Sequence, residues 1–328
     1  MNRKKFSGIL IITCIVVGIF SIWLKGYDSK ISNLISPISL VEKVKTKIEP
    51  IPNSQYKDQD VLAIAFLGID RRSKDETSYR TDIMIVAIAN KTNKKITLVS
   101  VPRDLWTQGT RINALFVQNG WESLQQALTE ITGVQPTSYI MVDFEDLVWI
   151  VDSMGGVPVN VETTFTDHQY PVDATKEYQT VSFKQGPELL TGERALIYSR
   201  SRKGDFDNGD WGRMKRQHII LQGMVNAVEQ KDSVFWPMDV EKAFKLLLKQ
   251  GITTNLTLDD LKFFWSYYPQ RESYTVESLL VDYNYLYTPP MEEYGGAWVL
   301  IPTEANYETL HKDIQSVLAP QEELTNQQ

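Results

Sequence analysis

Three short runs, VLAIAFL (61–67), IMIVAIA (83–89) and ITLVSV (96–101), are almost wholly apolar, rich in Val and Ile, and lack a polar face. A strand that alternates apolar and polar positions leaves one side to water. Runs without alternation bury both sides, as in the middle of a sheet covered by helices above and below. The polar NKTNKK (90–95) between the second and third runs predicts a turn. The period changes in WESLQQALTEI (121–131), where Leu124, Leu128 and Ile131 recur at helical spacing. Another strand is predicted at YIMVD (139–143), then a helix to Met154, a Gly155–Gly156 break and a short strand VPVNV (157–161). Residues 162–186 carry no clear period and read as a long, loop-rich insertion. Helical patterns dominate from Thr191 to Tyr267, in LTGERALIYSR, RMKRQHIILQGMVNAV, VEKAFKLLLKQ and TLDDLKFFWSYY. Strands at YTVESLLV and WVLIP and a last helix at YETLHKDIQSVL complete the pattern. Strands alternating with helices predict an α/β fold, an α/β/α sandwich around a central mixed β-sheet.

One segment has a different pattern. Phe6 to Leu24 is an uncharged, strongly apolar stretch of 19 residues, enough to cross a bilayer as a helix. Arg3, Lys4 and Lys5 precede it, which puts residues 1–5 in the cytoplasm and the rest outside. No small-residue cleavage site follows Leu24, so an uncleaved single-pass anchor in the cell membrane is expected rather than a removed signal peptide. Residues 25–60, with Pro37, Pro50 and Pro52, read as an extracytoplasmic stalk with a short helix near 40–48. The globular part is expected from Val61, and the tail 321–328 is expected to fray.

Charge and rare residues narrow the chemistry. With 34 Lys and Arg against 41 Asp and Glu, the formal net charge is -7. That excludes general attraction to nucleic acid, so any anion site must be assembled locally. The single cysteine, Cys14, lies in the apolar stretch and excludes an internal disulfide or a Cys-based zinc site. His168, His218 and His311 are far apart and lack metal-ligand spacing. The segment DFDNGD (205–210) has its glycine one place early and Arg216 where a calcium loop needs glutamate, so it is not an EF-hand.

Several charges fall where charges are costly. Asp70 and Arg71 follow the first apolar strand, Arg80 and Asp82 precede the second, and Arg103 and Asp104 close the third after Pro102. Strand ends in open α/β sheets are where ligands bind, though a structural Arg–Asp network capping the sheet would give the same pattern. In Tyr198-Ser199-Arg200-Ser201-Arg202, an extended backbone would point Arg200 and Arg202 to one side. Two such forks suit a phosphate, while the alternative is a solvated charge run continued by Lys203. On the helix starting near Gly212, the apolar stripe of Ile220, Leu221, Met224, Val225 and Val228 extends back through Gln217 to Arg213, with Lys215 opposite. Arg213 is therefore predicted to point inward and to need a partner. Asp210 is either that partner or an N-cap.

Taken together, FLGIDRR (66–72), YRTDIMIVAIANKTNKKITLVSVPRDLW (79–106), RINALF (111–116), VDSMGGVPVNV (151–161), LTGERALIYSRSR (190–202) and GDWGRMKRQ (209–217) resemble the LytR–CpsA–Psr family. The resemblance runs from about Val61 to Gln230 and is loose beyond, leaving 231–320 as an extension packed on the same domain. It implies an apolar tunnel for a polyprenyl chain with the pyrophosphate at its mouth. It implies that Asp70 and Asp82 bind Mg²⁺ (or Mn²⁺), and that Arg103, Arg200, Arg202 and Arg213 clamp the pyrophosphate with Gln217 assisting. It further implies that Asp210 is a candidate base and that Arg80 and Asp104 orient these groups. The implied activity is transfer of a glycopolymer from a polyprenyl pyrophosphate carrier to a peptidoglycan hydroxyl through a phosphodiester. Hydrolysis of the same carrier, or binding without turnover, are the alternatives. The chain has RTDI in place of the commoner R-S-D-T, and a short segment between Asp104 and Asn113.

Overall fold

The computed structural model describes residues 53–320, apart from 72–73, 173–176, 205–208, 230–239, 268–269 and 271–272. The expected anchor, the stalk up to residue 52 with its short helix, Cys14, most of DFDNGD and the tail from 321 lie outside the described residues. No helix among the described residues is long and apolar enough to cross a membrane.

The three apolar runs form β1 (Val61–Ile69), β2 (Thr81–Asn90) and β3 (Lys95–Ser100), an antiparallel meander. A small hairpin, β4 (Trp106–Thr107) and β5 (Thr110–Arg111), leads into α1 (Ile112–Thr132). Strand β6 (Ser138–Val142) then runs parallel to β1, followed by α2 (Phe144–Ser153). Past the Gly155–Gly156 turn come β7 (Val157–Val161), β8 (Phe165–Pro171), β9 (Tyr178–Phe183), β10 (Gly186–Leu190), α3 (Gly192–Arg200) and α4 (Asp210–Glu229). The rest supplies α5 (Val240–Gln250), β11 (Thr253–Thr254), α6 (Leu258–Ser266), β12 (Thr275–Leu280), β13 (Leu286–Tyr287), β14 (Ile301–Pro302) and α7 (Glu308–Leu318). The central sheet has the order β11-β6-β1-β2-β3-β12. It mixes antiparallel pairs with the parallel pairs β1–β6 and β3–β12.

Both faces are covered, which is why its strands show no polar side. Ala63, Ala65 and Leu67 of β1 point to a layer formed by Leu124 and Leu128 of α1 and Leu310 and Ile314 of α7. Leu62, Ile64 and Phe66 point the other way, toward Ile150 of α2, Tyr198 of α3, Ile220 and Met224 of α4, and Phe264 of α6. At roughly 1.5–3 kcal/mol for each large apolar side chain removed from water, these two layers hold the sandwich together. Helix α3 lies directly on α2: a Cβ on Gly192 would collide with Val148 O and sit 2.8 Å from Val148 Cα.

VPVNV forms the short strand expected and pairs with β10 outside the central sheet. Three sequence expectations change. Residues 162–186, expected as loop, hold the hairpin β8–β9, whose register shift between Asp167 and Tyr170 breaks the two-residue alternation that would have revealed it. Of WVLIP only Ile301 and Pro302 are paired as strand, with β13. Tyr56, in the stretch assigned to the stalk, is fully buried between Phe263 and Phe264, so chain packing begins upstream of Val61.

Candidate active site

The C-terminal ends of β1, β3 and β6 and the N-terminal end of β2 all reach the same edge of the sheet, a consequence of their pairing directions. Asp70, Asp82, Arg103 and Asp143 therefore meet although they are far apart in sequence. A break in register after Gly68 turns the end of β1, and Asp70 N donates to Arg80 O at 3.0 Å. Arg80 touches the site through this backbone contact. Its side chain, expected to orient the neighbouring groups, is exposed.

Helices α3 and α4 close the site from above the sheet. Segment 198–202 is helical through Arg200 and extended only from Ser201, unlike the extended form considered from sequence. Arg200 and Arg202 nevertheless line the same cavity. The Arg200 guanidinium stacks over the Phe144 ring at 4.1 Å and donates to Tyr170 Oη at 3.3 Å. Arg202 is aimed by Asp167, a buried carboxylate in β8 that accepts from Ser201 Oγ at 2.5 Å and from the backbone N–H of Arg202 and Lys203 at 3.1 and 3.2 Å. Burial opposes ionisation of Asp167, but these donors outweigh it and hold its pKa below the usual carboxylate range.

On α4, Arg213 and Gln217 are buried and Lys215 is exposed, as the helical pattern predicts. Arg216 and His218 are buried too. Two clean faces were expected, yet α4 is wedged between the sheet and β7, where Gly223 meets Val157 and Pro158. Arg216 Nε donates to Tyr198 O at 2.9 Å and its Nη2 to Ser201 O, fixing the loop that carries Arg202. His218 bonds Ser100 Oγ, and burial pushes its pKa down to about 4.

A network of charges joins these elements. Arg103 Nη1 donates to Asp82 Oδ2 at 2.7 Å, while its Nε lies 3.3 Å from Asp104 Oδ2 and 3.7 Å from Asp210 Oδ2. Arg202 Nε is 3.4 Å from Asp210 Oδ1, and Arg213 Nη2 is 3.5 Å from Asp210 Oδ2. Burial works against the charge on Arg103, but its three carboxylates more than offset this and raise its pKa. Arg202 goes the other way: burial, then repulsion from Arg103, lowers its pKa. Arg202, held beside a second cation at a net cost, is poised for an anion.

Beside the network is a cavity of about 380 Å³. Its lining combines Asp70, Asp82, Arg103, Arg200, Arg202, Arg213 and Gln217 with the apolar Ile83, Val142, Leu147 and Leu196. Asp70 Oδ1 and Asp82 Oδ1 are buried acceptors without donors, and Arg213 Nε is a buried donor without an acceptor. Unmet buried groups of both signs in one cavity call for a ligand bringing both a cation and an anion. Among the described residues no cluster of three His, Cys, Asp or Glu side chains is placed to hold a metal. Two carboxylates alone do suit Mg²⁺, which is usually held by one or two carboxylates together with substrate phosphates and water.

Sequence reasoning passed over Asp143, Lys74, Asp167 and Arg216. Asp143 caps α2 through a reciprocal capping box with Asp146, accepts from Arg71 Nη2 at 2.8 Å, and accepts from Lys74 Nζ at 2.7 Å. The D-x-x-D spacing directly after a strand was a usable signal for Asp143. Asp167 and Arg216 had none.

The LytR_cpsA_psr family model matches residues 29–316. The chain belongs to the LytR_cpsA_psr family. The match extends well past Gln230, into the part whose resemblance had looked loose. Within this family, the polyisoprenyl-teichoic acid–peptidoglycan teichoic acid transferase TagU of Bacillus licheniformis is 27% identical over 290 residues, covering 84% of this chain and 87% of TagU. The crystal structure of Bacillus subtilis TagV is similar with a TM-score of 0.57 and 25% identity, covering 79% of this chain and 97% of that one. TagT bound to LIIa-WTA shares the fold, with a TM-score of 0.58, 21% identity, and 83% and 94% coverage.

Proposed function

We propose that this chain is a phosphotransferase that moves a glycopolymer from a polyprenyl pyrophosphate carrier to a hydroxyl of peptidoglycan. The observation that carries this reading is the cavity itself, lined both by apolar side chains and by arginines and carboxylates with unmet oxygens. The relatives named as teichoic acid transferases support the same activity. The isoprenoid lies against Ile83, Val142, Leu147 and Leu196. The diphosphate is held by Arg103, Arg200, Arg202 and Arg213, whose forked donors match phosphate oxygens, with Gln217 assisting. Asp70 and Asp82 would hold Mg²⁺ or Mn²⁺, which when bound adds neutralising charge at the diphosphate.

The acceptor hydroxyl oxygen attacks the phosphorus that carries the glycopolymer. A P–O bond forms there, and the bond to the bridging oxygen breaks. Polyprenyl phosphate departs with the bridging electrons, and the hydroxyl proton passes to Asp210. The arginines stabilise the charge that develops on the leaving phosphate. Asp104 holds Arg103 in position, and no ATP is required because the pyrophosphate bond is already energy-rich. We also infer that residues 6–24 anchor the chain in the membrane, with the catalytic domain outside the cell near its lipid carrier.

The test is an incubation of the full chain in lipid vesicles with Mg²⁺, a polyprenyl-pyrophosphate oligosaccharide and peptidoglycan sacculi. The expected product is saccharide joined to the wall by a phosphodiester, with polyprenyl monophosphate released in equal amount. Release of saccharide phosphate into solution, at the same rate with and without sacculi, would show a hydrolase instead. Binding without any turnover would show a carrier-holding module.

A further inference from the structure

Across the charge network from the first cavity is a second, of about 560 Å³, lined by Pro102, Asp104, Asp210, Trp211, Tyr283, Trp298 and Leu300. That volume is within the ~300–1,000 Å³ of small-molecule sites. Its walls are unusually aromatic. Trp211 and Tyr283 meet edge-on at 5.2 Å between ring centres, and Tyr283 and Trp298 are 54% and 38% exposed. The wall is tied to the catalytic loop: Leu300 N donates to Asp104 O at 3.0 Å and Trp106 N to Leu300 O at 2.8 Å. Trp106 in turn packs on Tyr294, bracing the loop that leads to Trp298.

Wide aromatic surfaces open to solvent, beside carboxylates, are chemically matched to a pyranose ring. Such a ring has an apolar C–H face that lies on an aromatic side chain and a rim of hydroxyls that donate to carboxylates. Asp210 links the two cavities: it lines the second, and its carboxylate pairs with Arg103, Arg202 and Arg213, which line the first. A sugar hydroxyl bonded to Asp210 from this side would face the arginines that hold the diphosphate.

We propose that this second cavity is the acceptor subsite, which binds an N-acetylhexosamine glycan with a ring against Trp298 and Tyr283 and a hydroxyl turned toward Asp210. The proposal deepens the transferase reading and rests on it for the word acceptor, while glycan binding itself can be measured without turnover. The alternative occupant, the saccharide of the donor, is an outcome of the test.

Calorimetric titration of the full chain with a β-1,4-linked N-acetylglucosamine tetrasaccharide is the first arm. Saturable binding is expected, weakened about tenfold in Trp298→Ala and in Tyr283→Ala through lost apolar contact. Tyr287→Ala, an exposed aromatic of β13 outside the cavity, is expected to bind normally. The second arm measures transfer. The KM for the glycan acceptor is expected to rise by a similar factor in the two cavity variants, with the KM for the lipid donor unchanged. No saturable binding by the native chain, equal binding by all variants, or a rise in donor KM alone would overturn the proposal. Binding that depends on Trp298 in a chain that transfers nothing would sink the transferase reading and leave a glycan site standing. Normal transfer with unaltered acceptor KM in both variants would sink the subsite and leave the transferase reading standing.

Discussion

Arg103 and Asp82 face each other across the ends of two neighbouring strands at 2.7 Å, and Arg103 also reaches Asp104 and Asp210. A lysine has one charged point where this fork serves three carboxylates, so it cannot replace Arg103. Arg103→Ala and Arg103→Lys are both expected to lower the transfer rate by about 10²-fold or more, with the fold retained by circular dichroism because the site lies at the sheet edge, outside both core layers. Asp82→Asn keeps the shape and removes the charge. It is expected to shift the Mg²⁺ concentration for half-maximal rate upward by about tenfold, read from initial rates across a metal titration. A metal dependence identical to the native chain would remove Asp82 from the metal site. The strand-end charges were legible at this scale because Asp70, Asp82 and Arg103 flank apolar runs. Asp167 was not, since its role comes from a bulged hairpin and from backbone N–H groups of a segment 35 residues away.

Among the elements, α6 shows how one buried carboxylate can tie two distant parts of the chain together. Asp260 completes a capping box with Thr257 and also accepts from Ser54 Oγ at 2.8 Å and Gln55 Nε2 at 2.9 Å, fastening the segment before β1 to the helical layer. Asp260→Ala removes the capping box and leaves the buried Ser54 hydroxyl without its acceptor. It is expected to cost about 2–4 kcal/mol of stability, measured as a lower urea midpoint, with Asn milder than Ala. The T-x-x-D pattern marks the helix start in the sequence, whereas its bond to Ser54 does not. Helix α4 is the complementary case. Its inward Arg213 and Gln217 followed from helical spacing, but burial of Arg216 and His218 required knowing that Tyr198 and Phe165 pack on the first and that Ser100 of β3 meets the second.

For the whole molecule, the buried His218 makes stability depend on pH. The unfolded chain takes up a proton near pH 6.5, while the folded chain resists until about 4. The depressed folded-state value means that its stabilising contribution is complete above pH 6.5 and lost as pH falls toward 4, by roughly 3 kcal/mol at most. Native urea midpoints should therefore drop between pH 6.5 and 5, before carboxylates titrate, and His218→Gln should flatten that slope. An equal slope in the variant would assign the effect elsewhere.

Local pattern alone determined the class of fold, the buried strands, the main helices and the residues that carry charge at strand ends, because these depend on periodicity over a few neighbours. It also carried enough ordered motifs to indicate the family. Tertiary structure decided the rest: that four strand ends share one edge, that β7 leaves the central sheet, that Tyr56 belongs to the core, and that residues 281–300 return to wall a second cavity beside Asp210. Each of these depends on contacts between segments far apart in the chain, and side-chain periodicity holds no record of which distant segment will supply the partner.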